Sequence, residues 1–347
     1  MQKVKSHFQL PILLWALLQI GCMRPSDTVS TSFYYWKTNF KLDPIEREAL
    51  RATQTDRLFI RVMDVDTQGP QGEAIPISPV SFPEPLADSI AIVPVVFIVN
   101  AVLRDMSEDQ LEDLAKNIRQ FVNGKIKQAG KSAFEELQID CDWTVSTKSA
   151  YFSLLEKLRS EIGESVRLTA TLRLHQVRNI QSSGIPPVDR VLLMCYNMGN
   201  LRKPGPHNSI MDLNEMELYL KDFLHRYPLA VDIALPLFSW SVVFRDGAYA
   251  GISKRLDPDL LKDTALFQTD GHPTLFRLKK ALPAAGLRKN DVIRREETHY
   301  SDLLAAADFL NTHRKPGDFA LLFYHLDSQV LNEFPHEKLQ AIQHRFN

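Results

Sequence analysis

Eight strand-length apolar runs recur along this chain, most of them separated by helical segments, and that alternation restricts the fold to a parallel sheet covered by helices. The runs are Thr31–Thr38, Arg57–Asp66, Ile90–Asn100, Leu137–Thr144, Arg167–Gln176, Val191–Met198, Val231–Trp240 and Asp318–Asp327. Eight parallel strands close into a (β/α)8 barrel, so the expected class is α/β, a TIM barrel. The intervening helices carry their own start signals. Asp43-Pro44-Ile45-Glu46 places an N-cap, a proline at the first helical position and an acid at the third. Ser107 to Gln110 repeats the capping pattern, and Leu111, Leu114, Ala115, Ile118, Phe121 and Val122 then form one apolar stripe. Further helices are expected over Thr147–Ile162, Asp212–His225 and Ser301–Thr312, with a last one carrying Leu339 and Ile342.

Two connections interrupt the pattern. Thr67 to Ser89 holds Pro70, Pro76, Pro79, Pro83 and Pro85 and reads as an ordered loop over one end of the barrel. Ser241 to His299 reads as an insertion after the seventh strand, with a hairpin turn at Asp246-Gly247. Its short, mixed elements predict an excursion from one barrel domain, residues 31–347, rather than a separate domain.

The first residues predict export. Lys3 and Lys5 precede an apolar run from Phe8 to Ile20, and Gly21-Cys22 follows. That run is shorter than the roughly 20 residues a membrane-spanning helix needs. Residues 1–21 therefore read as a signal peptide and 22–30 as a polar tether. Gly21-Cys22 resembles the end of the bacterial lipobox, Leu-x-Gly-Cys, although the leucine, Leu18, is displaced by one position. The resemblance implies a lipid-anchored protein of the bacterial envelope, acylated at Cys22 and facing the periplasm or the cell surface; ordinary cleavage beside an incidental cysteine is the alternative. Cys141 and Cys195 lie in apolar runs and read as buried thiols, with a disulfide the alternative in an exported protein, and their spacing matches no zinc motif. A net charge of −1 gives no electrostatic footprint for nucleic acid.

Barrel enzymes carry their sites at the C-terminal ends of the strands. Here those ends bring acids, amides and aromatics together: Tyr35, Trp36, Asp64, Asp66, Asn100, Asp140, Asp142, Trp143, His175, Gln176, Tyr196, Asn197, Trp240, His325 and Asp327. Aromatic faces stack on the C–H faces of sugar rings, and carboxylates bond hydroxyls or move protons, so the combination points to a glycan. In Leu137–Thr144 the two-residue strand period puts Asp140, Asp142 and Thr144 on one face and Cys141 and Trp143 on the other. The next run alternates Leu168, Ala170, Leu172 and Leu174 with Thr169, Thr171, Arg173 and His175, which brings Arg173 near Asp140 or Asp142. Asp140 and Asp142 are the candidate catalytic residues; Tyr196, Asn197, His175, Trp240 and Tyr35 are the candidate substrate contacts. His175 has no second histidine at ligand spacing, so neither a metal nor another cofactor is expected.

Two of these segments resemble the chitinase-like barrels of glycoside hydrolase family 18. Their catalytic strand reads Asp-x-x-Asp-x-Asp-x-Glu, and Asp140 and Asp142 fall on its second and third acids. Leu137 replaces the first, and Thr144 replaces the glutamate that protonates the leaving group. Met194-Cys195-Tyr196-Asn197 resembles that clan's Met-x-Tyr-Asp, with Asn197 for the aspartate. The pattern also resembles a family of bacterial barrel lipoproteins in the same clan. Threonine has no proton to give near neutral pH, so ordinary family 18 hydrolysis is not expected. Glu135 and Glu136 sit at the wrong end of the strand, leaving Asp66, Asp327, Glu296 and Glu297 as other sources of an acid. Two readings follow: an envelope glycoside hydrolase with altered catalytic groups, or a non-catalytic lipoprotein that binds glycan or a protein partner. A structural envelope lipoprotein is a third.

Overall fold

Strands that are apolar on both faces must be covered on both, and here the inner and outer layers of a closed barrel do so. The computed structural model describes residues 28–68, 73–253 and 256–346. The predicted signal segment and Cys22 lie outside them. The barrel strands are β1 (Val29–Tyr35), β2 (Arg57–Gln68), β4 (Ala91–Ile98), β5 (Glu136–Asp140), β6 (Arg167–Arg173), β7 (Arg190–Met194), β8 (Ala230–Pro236) and β14 (Phe319–Tyr324). Each pairs in parallel with its neighbours, and β1 closes the ring by bonding both β14 and β2. The (β/α)8 class expected from the sequence is therefore the observed one. Because β1 starts at Val29, the last two residues assigned to the tether belong to the barrel.

The helices start where their caps direct. The Asp43 carboxylate accepts from the amides of Ile45 and Glu46 at 2.8 and 2.9 Å, while Glu46 accepts from the Asp43 amide at 3.0 Å. Ser107 and Gln110 form the same reciprocal box ahead of the 21-residue helix Glu108–Gln128. That helix buries Leu111, Leu114, Ala115, Ile118 and Val122 of the stripe read from the sequence against the barrel, with Phe121 half-buried beside them. The main core lies between strands and helices, and a smaller cluster inside the barrel joins Tyr34, Phe59, Val93, Val95, Leu192, Met194, Tyr196, Ala234, Ala320 and Leu322.

The first of the two interrupting connections differs from its reading. Within Thr67–Ser89, β3 (Glu73–Ile77) pairs antiparallel with β2, so this loop contributes a strand. It tolerates Pro76 because it is an edge strand, whose outer side needs no ladder donor. The insertion is a five-stranded antiparallel sheet, built from β9 (Ser239–Arg245), β10 (Ala248–Ser253), β11 (Phe267–Thr269), β12 (Leu275–Leu278) and β13 (Val292–Glu297) in the order β10-β9-β13-β12-β11. The turn at Asp246-Gly247 holds both residues at positive φ, 50° and 77°, as a two-residue hairpin of this type requires. Val243, Leu256, Leu261, Phe267, Leu278, Leu287 and Ile293 form a separate apolar cluster on this sheet.

Candidate functional site

Seven of the eight barrel strands end earlier than the sequence pattern predicts, β2 alone running two residues further, and this moves several candidate residues into the loops at the C-terminal mouth. β5 stops at Asp140, β6 at Arg173, β7 at Met194 and β8 at Pro236. Asp142 and Thr144 therefore follow β5, Tyr196 and Asn197 follow β7, and His175 lies in the short helix Leu174–Arg178. Trp240, assigned from sequence to the end of the seventh barrel strand, belongs to β9 of the insertion.

A cleft of about 630 Å³ opens at this mouth. Asp140, Arg173, Tyr196, Asn197 and Trp36 line it from the barrel, with Phe238, Tyr324 and His325. Ser239, Trp240, Ser241, Ser253, Leu256, Pro258 and Arg295 close it from the insertion side. The rings form a continuous series of contacts: Trp36 meets Tyr324 at 5.6 Å between centroids, Tyr324 meets Tyr196 at 5.2 Å and Phe238 at 5.6 Å, and Phe238 meets Trp240 at 5.1 Å. Tyr34 stands edge-on below Trp36 and Tyr324, its hydroxyl donating to Gln138 Oε1. Asn197 holds φ at 54°, in the left-handed region that asparagine tolerates better than most side chains.

The two candidate acids have different surroundings. Asp140 is buried and accepts one hydrogen bond, from the Thr171 hydroxyl at 2.7 Å. Burial, and then the Asp142 charge, push its carboxyl up to about 6; the Thr171 bond and Arg173 pull the other way. Asp142 is half-exposed, and both its oxygens are taken by Arg173, whose Nε donates at 2.6 Å and Nη2 at 2.7 Å. Burial opposes the Arg173 charge, but the Asp142 bonds more than offset it and hold the guanidinium protonated.

The alternation of sides expected from the sequence persists just past the end of β5. Cys141 and Trp143 point into the outer core, Trp143 stacking on Tyr151 at 5.1 Å and donating to the Ser183 carbonyl at 2.9 Å. Thr144 is exposed, and its hydroxyl bonds Ser146 at 2.9 Å, so no acid stands at this position. The other carboxylates named from the sequence are committed elsewhere. Asp66 accepts from the Thr67 amide, and Asp327 caps the helix Ser328–Glu333 and pairs with Lys37 at 3.0 Å. Glu297 pairs with Arg295 at 2.8 Å, and Glu296 is fully enclosed.

Tyr35 does not join the cleft. Its ring packs in the outer core against Phe40 at 4.6 Å, and its hydroxyl donates to the Asn39 carbonyl at 2.8 Å. Successive residues of a strand face opposite ways, so Tyr34 and Trp36 flank it: Tyr34 faces inward and Trp36 reaches the cleft. His175 is exposed near Arg173 without lining the cleft, and partial desolvation followed by the Arg173 charge lowers its pKa. Tyr324 and Phe238 were not singled out from the sequence; the signal available was an aromatic at the end of an apolar run. Among the described residues no group of three or more His, Cys, Asp or Glu side chains could hold a metal ion.

One buried hub joins the insertion to the barrel loops. Arg294 and Glu296 lie on the same face of β13 and pair at 2.6 Å, both essentially without exposure. Arg294 also donates to the carbonyls of Leu201, Lys203 and Gly205, in the loop after β7. Glu296 accepts from the Ser209 amide and hydroxyl at 2.7 and 2.6 Å and from Trp240 Nε1 at 3.0 Å. The wall residue Trp240 is thus fixed by the same carboxylate that anchors the β7 loop.

Solved structures with this architecture include spore cortex-lytic enzymes and a chitinase. The spore cortex-lytic enzyme SleL of Bacillus megaterium superposes with a TM-score of 0.53 at 15% identity, covering 92% of this chain and 75% of its own. SleL of Bacillus cereus gives 0.51 at 13% identity over the same shares. A chitinase from Bacteroides thetaiotaomicron gives 0.50 at 11% identity, covering 91% of this chain and 96% of its own. At these identities the likeness is one of fold, that of the chitinase-like glycoside hydrolase barrels. No family model and no curated protein matches the sequence.

Proposed function

We propose that this chain is an envelope lipoprotein whose glycoside-hydrolase-like barrel binds a glycan at its C-terminal mouth without the family's acid-assisted hydrolysis. The observation that carries the reading is the chain of rings from Trp36 through Tyr324 and Phe238 to Trp240, lining one cleft with Asp140 at its floor. Apolar ring faces beside a few fixed polar groups are the composition of a sugar site. The solved neighbours, named for a spore cortex-lytic activity and for chitinase activity, support the same ligand class. Against hydrolysis stand the exposed Thr144, at the position that the motif resemblance gives to the acid, and the engagement of both Asp142 oxygens by Arg173.

A glycan array followed by titration calorimetry tests this reading. Tyr324→Ala and Trp240→Ala should each weaken binding about tenfold, since a lost ring contact forfeits about 1 kcal/mol besides its buried area. Absence of glycan binding, or robust chitin hydrolysis by the unmodified protein, would overturn it. The anchor is tested separately: Cys22→Ser should release the protein from the membrane fraction, and an unmodified mature N-terminus elsewhere would defeat lipidation.

A further inference from the structure

The insertion wall of the cleft carries hydroxyls without a hydrogen-bond partner among the described residues. Ser241 on β9 and Ser253 on β10 are paired in register across the hairpin. Both line the cleft, and both Oγ atoms are buried without a hydrogen-bond partner among the described residues. Ser241 itself is only 2% exposed. A buried hydroxyl without a partner is costly, and its presence beside a cavity points to a ligand that supplies the missing bond. Directly across, Ser241 is paired in register with Arg295 of β13. The Arg295 Nε donates to Glu297 at 2.8 Å, and Nη2 donates to the Ser239 hydroxyl at 2.6 Å. A guanidinium has five N–H bonds, so three remain without a partner among the described residues. The Ser239 hydroxyl, having accepted from Arg295, keeps its own proton to donate.

This face therefore offers three hydroxyl donors and an under-used guanidinium on one wall. The carboxylates nearby are engaged: Glu297 with Arg295, Asp142 with Arg173, and Asp140 buried at the barrel floor with Thr171. A cluster of donors with unfilled capacity suits a group that only accepts, and a carboxylate is the sugar substituent that accepts most strongly. We propose that Ser241, Ser253 and Arg295 form a subsite for the carboxylate of an acidic sugar in the glycan held by the cleft. The inference rests on the glycan-binding reading above and narrows its ligand class. The step is recognition only; no bond is made or broken.

The test compares two oligosaccharides of equal length that differ in charge: a hyaluronan hexasaccharide, which bears carboxylates, and neutral chitohexaose. Titration of the whole protein should show the acidic oligosaccharide binding at least tenfold tighter. Ser241→Ala should reduce that preference about tenfold, the loss expected for one hydrogen bond to a charged group. It should change chitohexaose affinity far less than hyaluronan affinity and leave the melting temperature equal or slightly higher, because it deletes an unpartnered buried hydroxyl. Arg295→Gln should abolish the preference. Equal or tighter binding of chitohexaose would overturn the subsite and leave glycan binding standing. Equal weakening of both ligands by Ser241→Ala would overturn it too. If neither oligosaccharide binds, the subsite and the glycan reading fall together.

Discussion

The barrel and the insertion each supply one wall of the same cleft, and different forces hold them. The barrel has an apolar layer on either side of its strands, from the Tyr34–Leu322 cluster within to the helix-facing core without. The insertion has one small apolar cluster, on short strands, and meets the β7 loop through Arg294 and Glu296. Apolar burial is non-directional and spread over many contacts, so losing one side chain removes a share of the whole. A desolvated ion pair is different: removing either partner strands the other without solvent. The barrel wall should therefore tolerate substitution gradually, and the insertion wall should yield abruptly at one point.

Arg294→Met should break the symmetry between the walls most strongly. It would leave the Glu296 carboxylate enclosed with only Ser209 and Trp240 as donors, and free the carbonyls of Leu201, Lys203 and Gly205. Breaking a buried pair costs about 3–5 kcal/mol. Hydrogen exchange should show lost protection across residues 239–297 and the β7 loop, with the barrel strands still protected. Equal loss in both regions would show that the two walls stand or fall as one unit.

Asp140 offers the matching probe of the barrel wall. Its folded-state carboxyl is held near 6, above the ordinary aspartate value. Between about pH 4 and pH 6 the native state therefore holds a proton that the unfolded chain has released, and stability falls as pH rises through that window. The fall should amount to about 2–3 kcal/mol by pH 7. Asp140→Asn, which keeps an oxygen to accept from Thr171, should flatten it. Melting temperatures of both proteins from pH 4 to pH 7.5 measure the difference, and parallel curves would mean that Asp140 titrates as an ordinary solvated acid.

The same contrast explains what was legible beforehand. The barrel was readable because its strands are apolar runs bounded by capped helices, and Asp43–Glu46 and Ser107–Gln110 mark their helix starts locally. The inward face of β1 was not readable. Phe33, Tyr34 and Tyr35 are all buried, so hydrophobicity cannot choose between Tyr34 and Tyr35. Strand β3 was hidden by prolines that an edge position accommodates. The hub was partly visible, since Arg294 and Glu296 are opposite charges two apart beside Val292 and Ile293. Its partners Ser209 and Leu201 are about 90 residues away, a pairing that no local pattern reports. The approach of Arg173 to Asp140 or Asp142 followed from the alternation along β6, whereas the capture of both Asp142 oxygens by Arg173 required the geometry.

The smallest expected change in stability, and the one that bears most directly on the site, comes from Asp142→Asn. Asp142 is 48% exposed and Arg173 21%, so solvent screens their pair and the loss should be about 1 kcal/mol or less. An amide keeps one acceptor for Arg173 and gives up the second bond and the charge. Arg173 lines the cleft beside Asp140, so a guanidinium that keeps the Tyr196 carbonyl and one side-chain oxygen but loses the second oxygen and the charge should blur the polar floor against which a sugar is oriented. Glycan affinity should therefore fall several-fold while the melting temperature moves by only a degree or two. If stability falls and affinity does not, Asp142 serves the barrel rather than the ligand. If neither changes, the Arg173 contact is a surface pair, and recognition rests on the rings and the insertion wall.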